Sequence, residues 1–314
     1  MATKSYDIIG DIHGHSHTLV ALLEELGYQK EGNVYRHPTR TVIFLGDFID
    51  RGEFQCEVID IVRPMIESGA ALSVMGNHEF NAIAYYTPDR EMGGTLREHS
   101  EKNTKQHAAF LGAYKGSPEE YEDTINWFKT LPLWLDLRDL RIIHACWDQH
   151  EIAEIKKYQD EDNCLGDELL EMSCRKGTWQ YTAIETLLKG KEIPLGGDAS
   201  FKDKDGNVRH NIRVRWWDRE ATSYKDAFMG PESARTHIPD DQIEGDHMVE
   251  YSHEAPPVIL GHYWMEGEPV PLAPNIACLD YSVAKPGGKL VAYRWDGEQT
   301  LDPGKYVWVE RIES

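Results

Sequence analysis

The first eighty residues alternate between short apolar runs and longer segments with helical periodicity. The apolar runs predict strands at 6–10, 41–46 and 70–76. The segments between them predict helices at 17–26 and 53–67, the second of which contains Pro64. An alternation of strand and helix predicts a parallel sheet with right-handed crossovers.

The pattern changes after residue 94. Helical periodicity is predicted within 95–130 and 150–190, with two strands between them at 133–137 and 140–145. Residues 191–255 are rich in loops, with a hairpin turn predicted at 203–207 and a strand at 208–217. Further strands are predicted at 258–260, 276–279 and 289–294. We therefore expect a single domain over 1–314 with a partly helical, loop-rich insertion at about 150–255.

Potential metal ligands follow the glycine that ends each early strand. The segments are GDIHG at 10–14, GDFIDRG at 46–52 and GNHE at 76–79, and two later strands end in His144 and in Gly261-His262. In an open α/β sheet, the carboxyl ends of parallel strands meet at one edge. We therefore expect this edge to collect six side chains: Asp11, His13, Asp47, Asn77, His144 and His262.

The six side chains are carboxylate, amide and imidazole groups, without a thiolate. Such a set suits Mn²⁺, Fe or Zn²⁺ and differs from a structural zinc site. Six ligands fit two ions about 3.5–4 Å apart that share a carboxylate. Asp47 lies on the middle of the three early strand ends and is the predicted bridge. Each motif alone would be typical of a turn or a core histidine, so the prediction depends on their coincidence at five strand ends.

Composition and charge narrow the class of protein. The formal net charge of -21 disfavours a nucleic-acid partner, whereas a bound metal pair would still permit a phosphate substrate. The N-terminus has no apolar segment typical of a secretory signal, and no apolar run is long enough to span a membrane. The five cysteines form no CxxC pair, which indicates reduced thiols and a cytoplasmic location.

The five motifs together resemble those of the calcineurin-like metallophosphoesterases. The Asp-Arg-Gly at 50–52 is similar to the phosphoprotein phosphatase branch, which includes bacterial serine/threonine protein phosphatases and symmetrical dinucleoside tetraphosphatases. Many metallophosphoesterases end in GHxH, but this chain has Trp264 at the last position, as expected for that branch. The resemblance implies a layered α/β sandwich, with central β-sheets flanked by helices and a dimetal site at the carboxyl ends of the strands.

The resemblance also implies how the ligands are shared. One metal would bind Asp11, His13 and Asp47, and the second would bind Asp47, Asn77, His144 and His262. Mn²⁺ is the expected metal, with Fe, Zn²⁺ or Ni²⁺ as alternatives. Of the other histidines in the first motif, His15 and His17 are predicted to face solvent or to cap the first helix, with His15 near the rim of the site.

Further residues are predicted to act on the substrate. Arg51 is a predicted phosphate-binding residue, because a guanidinium group can donate hydrogen bonds to two phosphate oxygens at once. His78 is the predicted general acid, and Asp50 would hold its ring or, alternatively, cap the following helix. A second phosphate-binding arginine is expected at Arg219, with Arg215 as the alternative.

The predicted function is a dimetal-dependent phosphoric ester hydrolase that uses a metal-bridging hydroxide. A phosphomonoesterase of the serine/threonine protein phosphatase type is preferred. The alternative is a hydrolase of dinucleoside polyphosphates such as diadenosine tetraphosphate, which the layout of the C-terminal segment favours. The expected partner is thus a phosphorylated protein or a nucleotide, without a membrane. A non-catalytic binding module is a remote alternative, because every expected ligand is present.

Overall fold

A computed structural model describes residues 4–158, 162–197, 199–202, 208–245 and 248–313. The strands are β1 (Ser5–Ile9), β2 (Gln29–Glu31), β3 (Val34–Arg36), β4 (Arg40–Phe44), β5 (Ala71–Ser73), β6 (Trp134–Asp136), β7 (Arg141–Ile143), β8 (Glu192–Pro194), β9 (Phe201–Lys202), β10 (Val208–Arg209), β11 (Asn211–Arg213), β12 (Val258–Leu260), β13 (Ile276–Cys278), β14 (Asp280–Tyr281), β15 (Lys289–Trp295) and β16 (Tyr306–Glu310). The helices are α1 (Ser16–Glu25), α2 (Gln55–Glu67), α3 (Asn77–Tyr86), α4 (Glu101–Gln106), α5 (Ala108–Ala113), α6 (Pro118–Phe128), α7 (Gln149–Ile155), α8 (Asp167–Ser173), α9 (Trp179–Lys189), α10 (Tyr224–Ala227) and α11 (Glu232–Arg235), with 3₁₀ turns at Lys156–Tyr158 and Pro303–Lys305.

The first sheet contains the three parallel strands that the sequence predicts. β1 pairs with β4 and β4 with β5, both in parallel register. β15 then pairs with the other side of β1 in antiparallel register and carries β14 and β16. The resulting order is β14-β15-β1-β4-β5, with β16 on β15.

A second sheet of four strands has the order β13-β12-β7-β6. β12 is parallel to both β7 and β13, whereas β6 is antiparallel to β7. The expectation that all ligands meet at the edge of a single sheet is therefore wrong, because β7 and β12 belong to this second sheet. Local strand patterns do not reveal which strands pair, so the division into two sheets was not evident from the sequence.

Apolar side chains on alternate strand positions join the two sheets face to face. Ile8 and Ile43 of the first sheet belong to the same buried cluster as Ile142 and Ile259 of the second. The other face of the first sheet, including Ile9 and the remaining alternate positions, packs in a separate cluster with the helices. The inward faces of the two sheets pack on each other, and helices cover the outer faces. This arrangement is a layered sandwich, so the predicted α/β fold class is confirmed.

Several elements differ from the prediction. Helix α3 begins inside the GNHE motif, and the strand predicted at 208–217 is instead the two short strands β10 and β11. The strand breaks at His210, where β10 pairs with β9 and β11 pairs with β8. The hairpin turn predicted at 203–207 lies outside the described residues. The hairpin of β2 and β3 was not predicted, because its residues are too polar to form an apolar run.

The segment 150–255 contains the helical and loop-rich structure that the sequence predicts. Its helix α9 is joined to the strand-end loop before α7, since Leu187 O accepts a hydrogen bond from Ala145 N at 3.0 Å. The single-domain organisation stays a prediction. Within the described ranges, none of the helices combines the length and the apolar character needed to cross a membrane. All five cysteines lie within the described ranges, and the structure forms no disulfide between them.

Candidate metal centre

The loops that follow β1, β4, β5, β7 and β12 converge at one end of the sandwich. Left-handed backbone is unusual for residues other than glycine and concentrates at functional sites. Here it occurs at a group of neighbouring loop residues: His13, Asp47, Asp50, Arg51, His262 and Trp264 have φ between 48° and 71°. Surrounding contacts must hold these loops in place, because each such residue costs about 1–2 kcal/mol.

Most glycines at the strand ends are required because other atoms pack closely against them, and not because their backbone has a positive φ. Gly46 alone among the four has a positive φ, of 86°. A Cβ atom on Gly10 would lie 2.1 Å from the Leu279 carbonyl oxygen. A Cβ atom on Gly76 or Gly261 would lie 2.3 Å from Asp47 Oδ1 or 2.1 Å from Asp11 Oδ1. The loops of the two sheets therefore touch at positions where no side chain fits.

Asp11 and His13 both present unpaired ligand atoms. His13 Nδ1 donates to the Ile49 carbonyl at 2.9 Å, which leaves the lone pair of Nε2 available. That Nε2 and Asp11 Oδ1 are buried and have no hydrogen-bond partner. Buried polar atoms without a partner are costly, and here they are the ligand atoms that a divalent cation would use.

Asp47 lies between the two histidine groups. Its Oδ2 is 3.6 Å from His13 Nε2 and 3.5 Å from His144 Nε2. Its Oδ1 accepts a hydrogen bond from His78 N at 2.9 Å, which fixes the carboxylate. Two sets of three potential ligands result, one of Asp47 with His13 and His78 and the other of Asp47 with His144 and His262, each with ligand atoms within 4.8 Å of one another. Asp47 is common to both sets, as a bridging ligand must be.

The second set is held by bonds from both sheets. His144 Nδ1 donates to the Leu45 carbonyl at 2.7 Å, so Nε2 faces Asp47 and lies 3.2 Å from Asn77 Oδ1. Asn77 Oδ1 also lies 2.7 Å from His262 Nδ1. His262 N in turn donates to Asp11 Oδ2 at 3.0 Å, so the loops after β12 and β1 support each other.

The buried ligand groups of the site have strongly shifted pKa values. Burial, reinforced by Asp280 and Asp47, raises the pKa of Asp11 well above its usual range. Burial alone would lower the pKa of His144, but the nearby Asp47 and Asp11 carboxylates outweigh this effect and raise the pKa to about 10. Burial and the neighbouring His78 lower the pKa of His13 to about 3. The raised pKa values of Asp11 and His144 mean that both groups hold protons here, and divalent metal ions that bind at these atoms would displace those protons.

Glu79 supports the centre although the sequence reasoning gave it no role. It is fully buried. Its Oε2 accepts hydrogen bonds from Asp47 N at 2.8 Å and Gly76 N at 3.0 Å, and its Oε1 accepts from Phe48 N at 2.8 Å. One carboxylate thus ties the loop after β4 to the loop after β5. The available signal was its place three residues after Gly76, typical of a glutamate in the first turn of a helix.

His78 and Asp50 form the pair that the sequence predicts. Their side chains are joined by a 2.6 Å hydrogen bond between His78 Nδ1 and Asp50 Oδ2. Burial lowers the pKa of His78, but Asp47 and Asp50 raise it above its usual value. Asp50 does not cap α2, whose first position follows Phe54 without a side-chain cap. Its second oxygen instead accepts a hydrogen bond from His107 Nδ1 at 2.9 Å, a contact that the sequence reasoning missed.

Arg51 lies at the cleft, but the second arginine there is not one that the sequence pointed to. Arg51 is exposed at the site and its guanidinium lies over the Trp264 ring at 4.2 Å. Arg219 is exposed and does not line the cleft at the metal centre, and Arg215 bonds to the Asp226 carbonyl and to Asp218. Arg213, two residues before the alternative, lies 3.3 Å from His262 Nε2. The short strand β11 ends there, so the chain turns away from the site before residue 219.

The remaining histidines of the first motif lie at the start of α1. His15 is the residue before the helix and is buried, but its side chain makes no capping hydrogen bond. His17 is exposed and packs edge-on against Phe54, with ring centroids 4.4 Å apart. Both line a small cavity with Arg51. Among the described residues, the two sets of potential metal ligands do not include them.

A cleft of about 1130 Å³ opens from the metal centre. Its walls include Asn77, His78 and His262 together with residues of α4 and the segments before and after it. Six cationic side chains line it: Arg51, Arg97, Lys102, Lys105, Lys189 and Arg213. Asp50 is the one acidic residue among the described residues of the lining. The aromatic wall is made by Tyr85, Tyr263 and Trp264, whereas Trp147 and Trp216 are buried in the core.

Comparison with known proteins agrees with this geometry. The profile of the calcineurin-like phosphoesterase family matches residues 5–262. The chain is 30% identical over 154 residues to the asymmetrical bis(5'-nucleosyl)-tetraphosphatase PrpE of Oceanobacillus iheyensis, which aligns 48% of this chain with 60% of that protein. It is 44% identical over 124 residues to the Bacillus velezensis protein of the same name, which aligns 36% of this chain with 50% of the relative.

These relatives are matched over only part of their length. The chain spans about half to three fifths of each of them. Their names specify the asymmetrical class, whereas the sequence motifs suggested the symmetrical one. Among solved structures, a serine/threonine phosphatase of Saccharomyces cerevisiae superposes with a TM-score of 0.51 at 16% identity, over 100% of this chain and 82% of that one. This superposition supports the fold.

Proposed function

The chain belongs to the calcineurin-like phosphoesterase family, and from this premise we propose that it hydrolyses a phosphoanhydride bond of a dinucleoside polyphosphate. The observation that carries the proposal is the charge of the cleft. A chain with a net charge of -21 lines this one cavity with six cationic side chains and a single described carboxylate. Lys189 and Arg213 are paired with Glu185 and Glu192 outside the lining, whereas Lys102 and Lys105 are in none of the ion pairs between described residues. A local reversal of charge attracts an anion with several phosphates and holds it against the repulsion of the remaining surface.

Membership of this family implies a dimetal site, and two sets of potential ligands that share Asp47 fit one. The set around His13 contains His78 rather than Asp11, and Asp11 is included for its buried, unpartnered Oδ1. We assign Asp11 and His13 to the first ion, Asn77, His144 and His262 to the second, and Asp47 to both. Two such ions supply Lewis-acid stabilisation of a phosphoryl group and a water nucleophile of lowered pKa. We expect Mn²⁺ as the native metal, with Fe, Zn²⁺ or Ni²⁺ as alternatives.

The protein side chains would act on the substrate as follows. Arg51 and Arg213 lie on the cleft wall next to the ligands and would bind the oxygens of the phosphoryl group that is attacked. His78 has its Nδ1 held by Asp50, so Nε2 is the nitrogen that can give a proton to the leaving oxygen. Lys102 and Lys105, which lie on α4 in the wall of the cleft, would bind the phosphates that do not react.

A phosphorylated protein is the second candidate substrate. The size of the cleft supports it, because about 1130 Å³ exceeds the 300–1,000 Å³ that is usual for a small-molecule site. Its lining also includes Asn81, Asn103 and Gln106, whose amides could bond to a peptide backbone. Lys102 and Lys105 distinguish the two candidates, because a substrate with several phosphates needs more cationic partners than one with a single phosphate.

The test compares kcat/KM of the Mn²⁺-loaded protein on diadenosine tetraphosphate and on a phosphothreonine peptide. We expect a preference for the dinucleotide, and we expect Lys102→Ala with Lys105→Ala to raise its KM about tenfold. The same double variant should leave KM for p-nitrophenyl phosphate unchanged. The exposed Lys115→Ala serves as a control for a lost surface charge. A preference for the peptide that survives loss of both lysines would replace the nucleotide assignment by the protein phosphatase one.

A further inference from the structure

Both oxygens of the Asp50 carboxylate are bound by imidazole groups. Oδ2 accepts from His78 Nδ1 at 2.6 Å and Oδ1 accepts from His107 Nδ1 at 2.9 Å. Burial raises the pKa of Asp50, but the hydrogen bonds from the two histidines lower it to about 2, so the group is an anion that accepts both. The backbone of Asp50 is fixed as well, since its N–H donates to Gln55 Oε1 at 2.6 Å.

His107 lies where α4 meets α5, in the wall of the cleft. Its ring centroid is 5.4 Å from that of Tyr85 and 5.0 Å from that of Phe110. The residue is 5% exposed, and its Nε2 is buried without a hydrogen-bond partner. The aromatic neighbours therefore hold the ring so that its one polar contact is with Asp50.

The unpaired Nε2 restricts what His107 can do. A proton on this atom would be a buried donor without an acceptor, whereas a proton on Nδ1 is donated to Asp50, so the geometry favours the tautomer with the proton on Nδ1. Nε2 is buried, so this nitrogen is closed to a substrate in the cleft. The carboxylate to which Nδ1 donates is therefore the group through which His107 can influence the reaction.

We propose that His107 is a positioning residue, which holds the Asp50 carboxylate in the rotamer that aligns the His78 ring for proton donation. A carboxylate bound on one side can rotate about its side-chain bonds, whereas one bound on both sides is held in one orientation. Catalytic groups must be held within about 0.5 Å of their productive geometry. The assignment rests on the proposed hydrolytic function of the metal centre, and it applies equally to a nucleotide or a phosphoprotein substrate.

The experiment uses the metal-loaded full chain with phenyl phosphate and p-nitrophenyl phosphate. His107→Phe keeps the ring packing and removes the hydrogen bond. We expect it to lower kcat on phenyl phosphate about 10–100-fold, with KM unchanged, because a misaligned acid affects the transition state more than substrate binding. The loss should be smaller on p-nitrophenyl phosphate, whose leaving group needs less protonation. His107→Asn, which can still place an N–H near Asp50, should restore part of the rate.

The controls separate positioning from a general loss of structure. His99→Phe removes another imidazole that stacks on Tyr85, at 3.7 Å, and it should leave both rates unchanged. Adding His107→Phe to Asp50→Ala should cause no further loss, because the carboxylate through which it acts is absent. An equal loss on both esters, or an additive loss in the double variant, would overturn the assignment.

A spectroscopic measurement tests the inference independently of turnover. In the Zn²⁺-loaded protein, the Nδ1 proton of His78 bound to Asp50 should give a downfield resonance. His107→Phe should shift or broaden this resonance, while His99→Phe should not. A resonance unchanged in His107→Phe would refute positioning even if no ester is hydrolysed. Absence of diadenosine tetraphosphate hydrolysis by the unmodified, metal-loaded protein would refute the proposed function alone.

Discussion

Replacement of Gly261 by alanine tests whether the two sheets must touch for the metal centre to form. Gly261 does not have a positive φ, so its backbone conformation accepts alanine and only the added methyl group matters. That Cβ would lie 2.1 Å from Asp11 Oδ1, whereas ordinary contact begins at 3.4 Å. The Asp11 carboxylate or the loop must therefore move by about 1.3 Å, the difference between these distances.

The cost follows from the contacts that this movement breaks. Overpacking of a buried site costs about 1–3 kcal/mol. Loss of the hydrogen bond from His262 N to Asp11 Oδ2 leaves a buried donor unpaired, at about 1–3 kcal/mol. We expect the free energy of unfolding of the metal-free protein to fall by about 2–6 kcal/mol, and the affinity of the metal that we assign to Asp11 to fall about 10–100-fold.

Urea denaturation gives the change in unfolding free energy, and calorimetric titration with Mn²⁺ gives the number and affinity of the metals. Gly112→Ala is the matched control, because its Cβ would meet nothing within 4 Å in helix α5 and should be neutral or slightly stabilising. Two metals bound to Gly261→Ala with unchanged affinity and unchanged turnover would refute the argument that this contact positions Asp11.

Three further changes probe other parts of the structure. Asp47→Asn should abolish metal-dependent hydrolysis of p-nitrophenyl phosphate, since an amide cannot bridge two cations as a carboxylate does; retained activity would exclude bridging. Glu79→Gln should lower the unfolding free energy, measured with urea, by about 2–4 kcal/mol, because one amide oxygen cannot replace both carboxylate oxygens. The control Glu25→Gln, on the surface, should change this free energy by less than about 0.5 kcal/mol. Partial burial raises the pKa of Asp296, but hydrogen bonds led by that from Arg40 lower it to about 2. The ionised Asp296 therefore stabilises the fold above its unfolded pKa of about 3.9, and this stabilisation is lost as pH falls toward 2. The difference in unfolding free energy between the unmodified protein and Asp296→Asn should shrink between pH 5 and 3. A constant difference would contradict this.

The sequence predicted those parts of the site that depend on local pattern. Asp11, Asp47 and Asn77 each follow an apolar run and a glycine, and such a strand end can be identified without knowing its neighbours. The assignment of His144 and His262 to the same centre required the two sheets to meet, and this was inferred from the number of ligands rather than from strand pairing. The structure brings all of these side chains together, while their roles as ligands stay predictions.

The residues that were missed depend on long-range contacts. His107 lies in a segment without a motif, and only the packing of α4 beside Asp50 gives it a partner 57 residues away in sequence. The sequence pointed to Arg219, with Arg215 as the alternative, and Arg213 was not considered. The position of β11 relative to β12 decides which arginine lies beside His262. Neither relation is encoded in local periodicity or composition.

The division of the ligands between two sheets has a consequence for the synthesis of the chain. Asp11 and His262 are 251 positions apart and are joined by a direct hydrogen bond. A ribosome adds about 5–20 residues each second, so the first ligand waits on the order of ten seconds or more for the last. During this interval a nascent chain presents a carboxylate-rich, incomplete site that can bind metal only weakly. Full activity would therefore arise as one of the last events of biosynthesis, after the strand that carries His262 has joined its sheet.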